Sequence, residues 1–140
     1  MKKLLILGIL ICTLQTMNSQ DLKEYQWENR LVVVFSTNHT NEIVQQQLEI
    51  FKKNKKDFEE RKLIMIQAVP GKHKEIFPEN SDWKKSDVYN SKKETDSEFE
   101  VILLGLDGGV KLRQSELLQT KKLFGLIDSM PMRRAEMRDN

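Results

Sequence analysis

Three apolar segments constrain what this chain can fold into. Residues 31–35, 63–69 and 99–106 are runs of aliphatic and aromatic side chains with few polar residues inside them. A strand with one solvated face alternates between polar and apolar residues, whereas a continuous run is typical of a strand covered on both faces. The pattern therefore predicts a central sheet with helices packed on both sides.

The segment between the first two runs has the period of a helix. Thr40 or Asn41 can cap its start, with Glu42 in the first turn. Apolar residues then recur near the helical spacing, at Ile43, Val44, Leu48, Phe51 and Phe58. The lysines Lys52, Lys53, Lys55 and Lys56 fall mostly off that stripe, and we expect them on the solvated face. Residues 31–69 are thus predicted to form a right-handed unit of strand, helix and parallel strand.

The second half of the chain predicts a hairpin and a final helix. Residues 70–97 are polar and are expected to form a long connection with room for one short helix. After the third apolar run, the sequence from Asp107 to Gly109 is typical of a hairpin turn, because glycine supplies the positive φ that tight turns require. Residues 117–127 are predicted as a helix that ends before Pro131. This order of elements predicts an α/β fold, a thioredoxin-like three-layer sandwich with a central mixed sheet of about four strands flanked by helices.

The N-terminus has the layout of a secretory signal peptide. Lys2 and Lys3 precede an apolar run at residues 4–14 and a polar stretch that ends near Ser19. The run is shorter than the roughly 20 residues that a bilayer-spanning helix needs. We therefore divide the chain into a signal peptide at 1–19 and one domain at 20–140. The sequence predicts an exported protein, periplasmic or extracellular, with no membrane span after signal removal.

The predicted mature domain has neither excess charge nor a thiol. The chain has 23 basic and 21 acidic residues, and removal of Lys2 and Lys3 leaves 21 of each. A nucleic-acid partner is not expected, because such binding depends on net positive charge. The single cysteine, Cys12, lies inside the predicted signal peptide. Stability must then come from packing alone, and thiol exchange is excluded because the required thiolate is absent.

The loop after the first strand is where a redox-active thioredoxin-like domain carries its nucleophile, at the start of the first helix. Here the loop contains Ser36, Thr37 and His39, and hydroxyls at ordinary pKa do not replace a thiolate. His39 could act as a base toward Ser36 or Thr37, but a triad also needs a carboxylate orienter. The simpler interpretation is a polar loop that caps the helix.

Four segments resemble one protein family. These are GLDGGVKLR at residues 105–113, IDSMPMRRAEM at 127–137, YQWENRLVVVF at 25–35 and ERKLIMI at 60–66. They resemble the family called domain of unknown function 4174, which is similar to domains of sushi-repeat-containing proteins and of coiled-coil-domain-containing protein 80. Those extracellular proteins are linked to matrix and adhesion. The resemblance implies a thioredoxin-like or peroxiredoxin-like fold, and it supplies no catalytic residues. Leu106 and Lys62 depart from the family pattern, which commonly has a lysine and an acidic residue there.

Basic residues in these segments are the candidate binding residues. The candidates are Arg30, Arg61, Lys111, Arg113 and Arg133, with Asp128 beside them in the terminal segment. Arginine offers planar paired donors that suit a carboxylate or a phosphate, so a cluster could bind an anionic group or an acidic partner. The same residues could instead pair with the chain's own carboxylates and fix the C-terminal segment against the sheet. Both roles remain open at this point.

The sequence favours a binding module over an enzyme. We expect an exported, non-redox, thioredoxin-like domain that acts as an interaction module of the cell envelope or exterior, with an unidentified protein or a small anionic ligand as its partner. No cofactor and no metal site is expected, since the two histidines are far apart in sequence and no cysteine accompanies them. The alternative is an enzyme that uses Ser36, Thr37 and His39 together with an arginine of the terminal segment.

Overall fold

The computed structural model describes residues 21–140. Residues 1–20 lie outside the described residues. They include the predicted signal peptide with Cys12, and the expected cleavage site, before Gln20 or Asp21, lies at their end. Among residues 21–140, no helix combines the length and the apolar character that a membrane span requires.

Within the described residues the strands form one mixed sheet of six strands, two more than the four expected. In chain order the strands are β1 (Arg30–Phe35), β2 (Leu63–Val69), β3 (Lys72–Phe77), β4 (Lys84–Lys85), β5 (Glu100–Leu104) and β6 (Val110–Gln114). Their order across the sheet is β4-β3-β2-β1-β5-β6. Strands β1 and β2 are parallel, as predicted, and every other neighbouring pair is antiparallel.

The two unexpected strands lie in the polar stretch that was predicted to be a connection. Pro70 and Gly71 form a turn between β2 and β3, with Gly71 at a φ of 86°. Such a value is open to glycine at little steric cost. The turn therefore reverses the chain and makes β3 an antiparallel neighbour of β2. The short helix expected in this stretch is present as α3 (Val88–Lys92).

The helices differ from the prediction at their ends. They are α1 (Glu42–Lys52), α2 (Lys55–Glu60), α3, α4 (Thr120–Asp128) and α5 (Pro131–Asp139), and a 3-10 turn spans Lys23–Tyr25. Asn41 caps α1 by accepting a hydrogen bond from the backbone N–H of Ile43, but the long predicted helix breaks between α1 and α2. Pro131 does end the preceding helix, and it also begins α5, where the missing N–H of proline costs nothing.

Hydrophobic cores lie on both faces of the sheet. One core packs α1, α2 and α4 against alternate residues of the central strands, such as Val32, Met65 and Leu103. The other packs α3 and the segment around Tyr25 against the opposite face, including Val33 and Ile66. Alternation along each strand sends neighbouring side chains to opposite faces, which is why the central strands need an unbroken apolar run. The result is a sheet between two layers.

Candidate functional site

Four of the six predicted binding residues converge at the end of the sheet where the parallel strands begin: three arginines and Asp128. Arg30 opens β1, and its two terminal nitrogens each lie 3.2 Å from a carboxylate oxygen of Glu136. Its Nη1 also donates to the backbone carbonyl of Arg61, at 2.9 Å. Arg61 in turn holds both oxygens of Asp128, with Nε to Oδ1 at 3.0 Å and Nη2 to Oδ2 at 2.8 Å.

Arg133 completes this buried ion-pair cluster, which we define as Arg30, Arg61, Asp128, Arg133 and Glu136. Arg133 Nε donates to Asp128 Oδ1 at 3.1 Å, while Nη2 and Nη1 donate to the side chain and the backbone carbonyl of Glu60. Its side chain is 1% exposed. Burial alone would raise the pKa of Asp128, but the hydrogen bonds from Arg61 and Arg133 outweigh it and hold that pKa below its ordinary value.

Apart from Arg30 Nε, which has no hydrogen-bond partner within residues 21–140, the guanidinium nitrogens of the ion-pair cluster donate to the protein's own oxygens. Its contacts join the beginning of β1 and the end of α2 to α4 and α5, so the cluster fixes the C-terminal helices against the sheet. This is the second of the two roles considered for these residues. The first, an anion site, is not supported here, because Arg30 Nε is fully buried and the other guanidinium nitrogens of the cluster already donate within the protein.

The other two basic candidates lie apart from this cluster, on β6. Lys111 Nζ is 3.0 Å from Asp107 Oδ2. Arg113 contacts the carboxylate of Glu100, which is fully buried in β5. Glu100 also accepts hydrogen bonds from the backbone N–H groups of Glu94 and Thr95. The sequence prediction missed Glu100, since it stands at the edge of an apolar run with no sign of its partners.

The buried carboxylates give the stability of the domain a defined pH dependence. Burial alone would raise the pKa of Glu100, but the hydrogen bonds from Thr95 and Glu94 and the charge of Arg113 hold it below its ordinary value, and the pKa of Asp128 is lowered as well. The folded state then binds fewer protons than the unfolded state. The stabilisation is therefore complete above the ordinary carboxyl pKa of about 4 and is lost as the pH falls through the folded pKa.

We expect Glu100→Gln to lower the free energy of unfolding at pH 7 by about 3 kcal/mol, because Arg113 and two backbone donors lose a charged acceptor. The difference from wild type should narrow as the pH falls below about 4. Urea unfolding followed by circular dichroism between pH 7 and pH 3 measures both effects. Glu28→Gln, at an exposed carboxylate, is the control and should follow the wild-type curve. A constant gap at every pH would contradict this origin of acid sensitivity.

The loop of the alternative enzyme lies at the opposite end of β1. The Ser36 hydroxyl donates to the Asn38 carbonyl at 2.8 Å, and the Thr37 hydroxyl donates to Glu98 at 3.3 Å. The His39 ring packs edge-on against Trp83, with ring centroids 5.8 Å apart. Strand β1 has six residues, so roughly 17 Å of strand separates this loop from the ion-pair cluster. The two halves proposed for the enzyme are therefore not brought together.

A groove opens beside that loop, at the carboxyl ends of the parallel strands. Its volume is about 340 Å³. We call it the basic groove. Its lining residues are His39, Thr40, Gln45, Leu48, Lys52, Gln67, Lys74, Ile76, Asn80 and Trp83. In open α/β sheets this end of the parallel strands is the usual place for a ligand.

The lysines that line the basic groove give it a positive charge that no acidic lining residue balances. It contains Lys52 and Lys74 and no carboxylate. Neither lysine forms an ion pair with any residue of the described chain. Trp83 is half-buried, and the ammonium groups of Lys72 and Lys74 lie 4.7 and 5.4 Å from its ring centroid. These contacts place two cations around one aromatic ring beside the paired strands β2 and β3.

One buried amide borders the same groove. Gln67 is 3% exposed and pairs with Lys74 across β2 and β3. Its Nε2 donates to the backbone carbonyl of His39 at 3.0 Å. Within residues 21–140, nothing donates a hydrogen bond to its Oε1. The residue is buried as a whole, but Oε1 itself is in contact with solvent, so a ligand donor can replace water at this acceptor.

A second cavity, of about 370 Å³, lies on the other face of the sheet beside the turn after β5. Its carboxylates already have partners, since Asp21 accepts from the backbone N–H of Asp87 and Asp107 is paired with Lys111. Lys23 and Lys92 also line it, so its charge is mixed. This cavity is slightly larger than the basic groove, but it selects for no single charge.

The remaining titratable groups give no sign of a metal site. His73 is buried, its Nδ1 lies 2.7 Å from the Ser86 hydroxyl, and burial lowers its pKa. Across residues 21–140, no three side chains of His, Cys, Asp or Glu are grouped so that they could hold a metal ion.

Sequence reasoning missed the basic groove because each of its residues carries a weak signal. Lys52 was assigned to the solvated face of a helix, and Trp83 was only an isolated apolar residue in a polar stretch. Gln67, the single polar residue in the run LIMIQAV, was the one available clue. Lysines alternating at 72 and 74 could have suggested one strand face, had β3 been predicted.

Comparison with known protein families assigns the chain to a family. A search among curated proteins gives no significant match. A comparison with protein families matches residues 21–136, which include all four segments singled out in the sequence apart from Met137. The chain therefore belongs to the family described as domain of unknown function (DUF4174).

Proposed function

We propose that this protein is an exported binding module with a thioredoxin-like core and no redox activity, and that it captures an anionic group in the basic groove. The four adjacent strands β2, β1, β5 and β6, with a parallel pair joined through α1 and α2, support the thioredoxin-like assignment. Residues 21–140 contain no cysteine, so the groove next to the loop after β1 has no thiol to use. Intact mass measurement of the protein recovered outside the cytoplasm tests removal of residues 1–19, and a protein that stays in the cytoplasm at full mass would contradict the export proposal.

The observation that carries this proposal is the unpaired positive charge in the basic groove. The basic residues in the ion-pair cluster and on β6 are matched by carboxylates. Lys52 and Lys74 are not, and they face a groove that also offers a buried amide. An anion bound there would gain charge-assisted contacts without displacing an internal ion pair.

The test is a titration with acetate and with inorganic phosphate at low ionic strength, where charge attraction is least screened. We expect backbone and side-chain amide resonances of the basic groove, Gln67 above all, to shift on binding. Lys74→Glu should weaken that binding at least about tenfold, because it removes one charge-assisted contact and adds a repulsive one.

Lys53→Glu is the matched control, since it makes the same charge change at an exposed lysine that does not line the groove. It should leave the titration nearly unchanged. Equal weakening by both variants would mean that only net charge matters. Resonance shifts confined to another surface would show that the anion site lies elsewhere.

A further inference from the structure

We infer that the natural ligand of the basic groove is a small organic anion with a flat, unsaturated or aromatic body. This inference rests on the proposed function and deepens it by naming the class of anion. Four features carry it: the tryptophan ring, the apolar part of the lining, the acceptor on Gln67 and the size of the groove.

A site for a bare inorganic anion would not require the aromatic ring of Trp83. An inorganic ion needs only positive charge and hydrogen-bond donors, and the ammonium groups of Lys52 and Lys74 provide both. The Trp83 ring, kept half-buried by Lys72, Lys74 and His39, adds a flat apolar surface at the same place. Aromatic rings gain most from other planar groups in offset or edge-on contact. A ligand with a flat body can contact the ring while its charged end meets the lysines.

Leu48 and Ile76 extend the apolar part of the lining. Leu48 comes from α1 and is almost fully buried, whereas Ile76 lies on β3 two residues after Lys74 and is partly exposed. Alternation along β3 puts Lys74 and Ile76 on the same strand face. A hydrated inorganic ion gains nothing from such side chains, but an organic body removes their surface from water. The groove therefore suits an amphipathic anion.

Gln67 supplies a point of orientation. Its amide nitrogen is committed to the His39 carbonyl, which leaves Oε1 to accept a hydrogen bond. A hydroxyl or amide N–H on the ligand would satisfy it. The volume of about 340 Å³ lies near the lower end of the range for small-molecule pockets, which suits one ring and its substituents.

The closing experiment uses Trp83 as its own reporter. The chain has two tryptophans, and Trp27 is 60% exposed, so Trp27→Phe leaves Trp83 as the only tryptophan emitter. This variant is titrated with benzoate, its neutral analogue benzamide, and acetate, which carries the charge without the ring. We expect benzoate to change the Trp83 emission and to bind at least about tenfold more tightly than benzamide or acetate, and 4-hydroxybenzoate to bind more tightly than benzoate.

A second variant separates the ring from the charge. In Trp83→Leu, followed through the Gln67 side-chain amide resonances, benzoate should bind no better than acetate, while acetate binding should stay as in wild type. If Trp83→Leu does not fold, the comparison of ligands on Trp27→Phe decides the question alone.

The outcomes distinguish the inference from the proposed function. Equal binding of acetate and benzoate, both weakened by Lys74→Glu, would overturn the aromatic class and leave the anion site standing. Equal binding of benzamide and benzoate would overturn both, because charge would then play no part. Absence of binding by every probe, phosphate included, would also overturn both.

Discussion

Val33→Asp will leave this chain without a cooperative unfolding transition at 25 °C. Val33 is fully buried in β1, paired with Ile66 of β2 on one side and Ile102 of β5 on the other. Its side chain packs in the core that α3 and Tyr25 cover. An aspartate there must either stay ionised without a partner or take up a proton and still leave its polar atoms buried, and either outcome removes a large part of the roughly 5–15 kcal/mol by which domains are usually stable. Thermal melting followed by circular dichroism measures the result.

The control makes the same substitution at the rim of the same sheet. Val110 begins the edge strand β6 and is 45% exposed, so an aspartate there remains in contact with water. We expect Val110→Asp to change the free energy of unfolding by less than about 1 kcal/mol. A near-native melting curve for Val33→Asp would mean that β1 is not enclosed on both faces.

The sequence predicts the centre of this sheet and not its edge, for a physical reason. Strands β1, β2 and β5 are buried on both faces, and burial imposes an apolar run that can be recognised in isolation. Strand β3 reads KHKEIF and is only partly buried. It is held by backbone pairing with β2, and backbone pairing leaves no mark on the order of side chains. The turn at Gly71 was the only local sign of it.

The same limit applies to the sites. Arg30, Arg61 and Arg133 were among the candidates that the sequence offered, but only the packing of α4 and α5 determines that carboxylates meet them. The basic groove depends on the hairpin of β2 and β3, which brings Lys74 beside Gln67. When that hairpin is not predicted, the sequence gives no reason to place Trp83 close to Lys74. Convergence in space is a property of topology, and a single sequence gives topology only where its elements are recognised.

The buried ion-pair cluster leads to the second large expected effect. Arg133→Met should lower the free energy of unfolding by about 3 kcal/mol, because methionine fills much of the space but removes the hydrogen bonds that the buried guanidinium donates to Asp128 and to the side chain and backbone carbonyl of Glu60. Burial alone would lower the pKa of Arg133, but its hydrogen bonds to Asp128 and Glu60 raise it above its ordinary value, so the guanidinium is charged throughout the range of the measurement. Urea unfolding at pH 7 provides the comparison.

Arg134→Met is the matched control, because Arg134 is exposed and its side chain forms no hydrogen bond or ion pair within residues 21–140. It should change the free energy of unfolding by less than about 0.5 kcal/mol. The double variant Arg133→Met with Asp128→Asn should lose less stability than the two single changes together, by about 1–3 kcal/mol, since each partner is costly mainly when the other remains. If Arg133→Met kept normal stability but lost anion binding, the structural role assigned to the ion-pair cluster would be wrong. The cluster would then be the ligand site, and the basic groove would be a solvated surface.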